Sequence, residues 1–93
     1  MKKYNIEVTE DEMLIIEKAL NQYYMVGVGH FKAMLSTYKW TTVPQIVYDL
    51  LELATNQLTG LPKCVLWGIN DPKVDPDCSA AELLYDKLKK IHE

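Results

Sequence analysis

A 93-residue chain that is 48% apolar with a net charge of −3 is long enough for one core and too apolar for disorder to be its default. No apolar run approaches the roughly 18 residues of a membrane span, and "MKKYNIEVTEDE" lacks the apolar stretch of a signal peptide, so a single cytoplasmic domain, 1–93, is expected. All ten basic residues are lysines; without a guanidinium fork, and with net negative charge, the composition argues against duplex DNA as a partner.

In chain order, "KYNIEV" (residues 3–8) alternates weakly and reads as a short strand or an extended arm. "VTEDEM" is a helix start. Thr9 is the N-cap, Glu12 completes a capping box, Val8 and Met13 occupy staple positions, and acidic residues fill the first turn. This first helix should run from Glu10 to Tyr24 or Met25, with Met13, Ile16, Leu20, Tyr23 and Tyr24 as its buried stripe. Gly27 and Gly29 in "MVGVGHF" suit a helix–helix corner better than a phosphate cradle, because no strand precedes them and no third glycine follows. A short second helix over 30–38 places Phe31, Met34, Leu35 and Tyr38 on one face. In "KWTTVPQIV" Thr42 reads as the cap of a third helix, with Pro44 in its first turn. Its stripe is Val47, Leu50, Leu51, Ala54 and Leu58, and Gly60 and Pro62 end it. The fourth helix opens at Asp75–Pro76 or at Ser79 with Glu82, and continues through Leu83, Leu84, Leu88 and Ile91.

The pattern predicts a mainly α fold: a compact bundle of about four helices with a long irregular segment over about 60–76. One short strand pair has room to form between 3–8 and the apolar "CVLWGI", 64–69.

The chemistry-bearing residues fall short of a reactive constellation. Cys64, Cys78, His30 and His92 qualify by type, yet nothing in their spacing links them, so no enzyme and no catalytic residue is expected. A zinc site needs about four ligands at fixed spacing, and no metal or other cofactor is expected. Without an export signal the two cysteines read as free thiols. "TEDE" is explained by the helix start, and Pro72 and Pro76 break the ligand alternation that a calcium loop would need in "NDPKVDPD".

The irregular segment is the place to look for binding, because loops on a rigid scaffold collect binding groups and plain connections are about two to eight residues long. Trp67 reads either as a core plug or as a stacking wall for a planar ligand. Gly68 would admit a close approach to the backbone, and Asn70 offers both a donor and an acceptor. His30 follows the glycine corner, and Lys32, Lys63 and Lys73 could meet phosphate.

The pieces "IEVTEDE", "YYMVGVGHF", "LTGLP", "WGINDPKV" and "AELLYD", in this order, resemble a group of small uncharacterised proteins of phages and prophages of Gram-positive bacteria. That resemblance implies a genomic setting in the host cytoplasm and no residue-level activity. Small phage proteins of this size often counter host defence. The expectation is therefore a non-catalytic binding protein that sequesters a small nucleotide-type immune signal as a homo-oligomer, most simply a dimer. The alternative is a protein–protein inhibitor whose acidic surface occupies a basic site on a host protein.

Overall fold

A computed structural model describes residues 1–62 and 65–91 of the chain. Its elements are α1 (Glu10–Gly27), α2 (Ala33–Thr37), α3 (Gln45–Thr59) and α4 (Pro76–Ile91), the expected mainly α architecture of four helices. No strand forms among the described residues, and 1–7 are exposed irregular chain. Residues 65–68 are also irregular. The Trp67 N–H donates to the Val28 carbonyl at 3.3 Å, which ties that segment to the end of α1 and not to 3–8. Lys63, Cys64 and His92 lie outside the described residues.

The start of α1 is the capping box read from sequence. The Glu12 N–H donates to Thr9 Oγ1 at 3.1 Å, and the Thr9 N–H donates to Glu12 Oε1 at 2.8 Å. These bonds to Thr9 hold the exposed Glu12 carboxyl below its ordinary value. The helix then runs past Met25 to Gly27. A Schellman motif closes it: the Gly29 N–H donates to Val26 O at 2.9 Å, and the His30 N–H to Met25 O at 3.0 Å. The motif needs a left-handed residue, and Gly29 supplies it with φ 90°. That is why the break falls after Gly27.

Residues 30–32 form three-residue turns, with Ala33, Met34 and Leu35 donating to His30, Phe31 and Lys32, so α2 is shorter than the expected 30–38. α3 begins directly after Pro44, which is extended (ψ 148°) and offers no side-chain cap. Thr42 lies two residues too far upstream to serve as the expected cap. Gly60, at φ 66°, ends α3 with its N–H on Asn56 O. For α4 the earlier of the two starts holds: Asp75 Oδ1 accepts from the Asp77 N–H at 2.9 Å.

α1 packs along α4 and against α2. Gly27 allows the close approach to α4, because a Cβ there would overlap Cys78 Sγ. Val28, Val74 and Cys78 are buried together, with Tyr24, Leu66, Trp67 and Ile69 packed on them. Trp67 is thus a plug beneath the irregular segment. Tyr24 meets Tyr85 edge to face at 5.8 Å, joining α1 to α4.

Three expected stripes need correction. In α1, Tyr23 is exposed and Glu17 is buried. In α4, the buried residues are Cys78 and Ala81, while Leu83, Leu84 and Ile91 face solvent. In α3 the expected stripe is split, and Val47, Leu51 and Ala54 of it are half-buried. Thr55 and Thr59 are buried, whereas Leu50 and Leu58 are 55% and 50% exposed. Among the described residues, no Cα of α3 lies within 8 Å of another helix. α3 is instead held to the glycine corner: Thr55 Oγ1 donates to the Gly29 carbonyl at 2.6 Å, and Thr59 Cγ2 sits under Gly29. Thr59 Oγ1 donates to Thr55 O and accepts from the Leu61 N–H.

Candidate functional site

A cavity of about 350 Å³ lies where α1, α2 and the end of α4 meet. α1 contributes Leu14, Glu17, Lys18 and Asn21, which share one helix face by their three- and four-residue spacing. The end of α2 contributes Ser36 and Thr37, with Lys39 just beyond it, and α4 contributes Tyr85 and Lys89 one turn apart. Three lysines, from α1, α4 and the segment after α2, therefore line one cavity, although the chain is acidic overall.

The local structure fixes several of these groups. Ser36 Oγ and Thr37 Oγ1 both donate to the Ala33 carbonyl at 3.0 Å, which leaves their lone pairs as acceptors. Asn21 Nδ2 donates to the Tyr24 hydroxyl at 2.8 Å. Burial raises the Tyr24 phenol above its ordinary value, and the Asn21 bond partly offsets this; the nearby Tyr85, Glu82 and Asp86 raise it further. Lys89 Nζ stands 5.4 Å from the centre of the Tyr85 ring, within cation–π range. Glu17, an acidic residue of the lining, is 5% exposed. The cavity offers amines for an anionic group, an aromatic ring for a planar one, and amide and hydroxyl groups for a sugar or base edge.

The residues singled out in the sequence sit elsewhere. His30 and Lys32 line a smaller cavity, about 210 Å³, with Glu52, Thr55, Asn56 and Leu66. Lys32 Nζ lies 3.9 Å from Glu52 Oε2 at its half-exposed edge. His30 Nδ1 and Asn56 Oδ1 are buried with no hydrogen-bond partner among the described residues. This cavity is below the roughly 300 Å³ at which small-molecule sites begin. Trp67 belongs to the core, next to the lining residue Leu66. Gly68 and Asn70 are exposed and belong to the turn closed by the Asp71 N–H on Gly68 O. Lys73 is exposed, and its N–H donates to Asp71 Oδ1. Lys63 lies outside the described residues.

Sequence reasoning missed the lysine cavity because Lys18, Lys39 and Lys89 are far apart in the chain. The available signal was local: Lys18 and Asn21 fall on the same α1 face as Leu14. Among the described residues, no cluster of three or more His, Cys, Asp or Glu is placed to hold a metal, and no helix is long and apolar enough to cross a membrane. Compared with protein families, curated proteins and solved structures, the chain has no match.

Proposed function

We propose that this protein is a non-catalytic binder that sequesters a small nucleotide-type signal in the α1–α2–α4 cavity, acting as a homo-oligomer in the cytoplasm of a host cell as a phage counter-defence protein. The convergence of Lys18, Lys39 and Lys89 on one cavity beside the Tyr85 ring carries this reading, because phosphate needs cations and a base needs a planar partner. The hydroxyls of Ser36 and Thr37 point their protons at a backbone carbonyl, and among the described residues no histidine lines the cavity. That environment favours holding a ligand over attacking it. The resemblance to phage and prophage proteins supplies the setting.

Isothermal titration with a cyclic dinucleotide, an ADP-ribose derivative and the matching unphosphorylated nucleoside tests the reading. Binding is expected for a phosphorylated ligand only, with the ligand recovered unchanged. Lys39→Ala should weaken binding about tenfold, equivalent to about 1.4 kcal/mol. Conversion of the ligand, or no heat with any of the three, would contradict it. In the latter case the acidic-surface inhibitor, tested by capture of a host protein, becomes the better reading.

A further inference from the structure

α3 turns much of its apolar surface outward. Its inward residues are Thr55 and Thr59, and its outward face carries Ile46, Leu50, Leu53 and Leu58, which are 59%, 55%, 53% and 50% exposed. With Val47 and Ala54 these residues recur at three- and four-residue spacing, so they form one continuous strip along the helix. An amphipathic helix gains its stability by burying such a strip, and this chain half-buries Val47 and Ala54 but leaves Ile46, Leu50, Leu53 and Leu58 exposed.

The whole chain agrees. A 10.7 kDa protein closed around its own core exposes about 5,500 Å², and this chain exposes 7195 Å². Its radius of gyration is 15.3 Å, where about 12 Å is usual for this length. Residues 1–7 and the apolar faces of several helices, α3 among them, are exposed. The excess exceeds the roughly 800 Å² that each partner contributes to a standard interface.

We infer that the outward face of α3 is the contact between two copies of this chain, α3 against α3 in antiparallel register about a two-fold axis. An isologous contact requires a self-complementary surface, and the strip is one. Centred on residue 52, antiparallel pairing sets Ile46 against Leu58 and the large Leu50 against the small Ala54 of the other copy. α3 contains two acids, Asp49 and Glu52, and no lysine. Antiparallel pairing opposes the helix dipoles, whereas parallel pairing would align them. The strip itself carries no charge that would select a foreign partner.

Sedimentation equilibrium at micromolar concentration should give twice 10.7 kDa for the wild type and 10.7 kDa for Leu50→Asp/Leu53→Asp. Circular dichroism checks that the variant keeps its helices. A wild type that is monomeric throughout, or a folded double variant that stays dimeric, overturns the inference. If the double variant unfolds, Leu53→Cys decides. Position 53 lies beside the axis, so mild oxidation should yield a 53–53 cross-link in peptide mapping. A dimer that forms no such cross-link also overturns the inference. The ligand titration is a separate readout, so the α3 contact and the binding reading can fail independently.

Discussion

Thr9 carries a complete reciprocal cap in an exposed setting. Thr9→Ala should therefore cost about 1 kcal/mol, measured by chemical denaturation. Because the Glu12 carboxyl is held below 4.5 in the folded chain, its contribution is present above the unfolded value and is lost as pH falls through the folded one. Gly27 makes a sharper test. A Cβ at that position overlaps Cys78 Sγ, so Gly27→Ala should cost about 1–3 kcal/mol by overpacking. Adding Cys78→Ala should recover part of that loss, giving a non-additive cycle. If the two effects simply add, α1 and α4 do not meet at this point. The Cys78 thiol is raised above 9.0 by burial and then by Asp75 and Asp77. Its contribution to stability is full below the unfolded value and fades as pH rises through the folded one. In a Cys64→Ser background it should stay inert to a thiol reagent at neutral pH until the protein unfolds.

At the scale of elements, several helix ends were legible in the sequence, and so was most of the α1 stripe, with Met13, Ile16, Leu20 and Tyr24 half-buried, whereas Leu50 and Leu58 of α3 and Leu83, Leu84 and Ile91 of α4 face solvent. Thr9 with Glu12, Gly29, Gly60 and Asp75 act on backbone groups within a few residues, so local chemistry identifies them. The α1 boundary slipped because either glycine of the corner could have carried the left-handed turn, and Gly29 does. The α3 pattern was equally clear, since Val47, Leu50, Ala54 and Leu58 define a stripe. A stripe specifies that a face will be covered, not that this chain covers it. The counter-signal lay in Thr55 and Thr59, two hydroxyl residues one turn apart that dock α3 on the glycine corner. Thr55→Val removes the donor to the Gly29 carbonyl at nearly constant shape. It should cost about 1–3 kcal/mol because a buried acceptor loses its partner, and thermal unfolding would show it. No loss would mean that α3 is held by something other than this bond.

At the scale of the whole molecule, the candidate site is a product of tertiary assembly. His30 and Lys32 were visible as a cation and a titratable group near a corner, and the fold does place them together, in the smaller cavity. Trp67 stood out as an aromatic in an irregular segment, and the core absorbs it. The lysine-lined cavity draws on α1, the end of α2 and the end of α4, so no window of sequence contains it. Its three amines in an acidic chain are the basis for reading the protein as a binder of a phosphorylated small molecule. Amide chemical shifts followed during titration with a cyclic dinucleotide test that assignment residue by residue. Saturable shifts should concentrate on Lys18, Asn21, Thr37, Lys39, Tyr85 and Lys89. Shifts confined to His30, Asn56 and Leu66, or no saturable shifts with any phosphorylated ligand, would contradict the account.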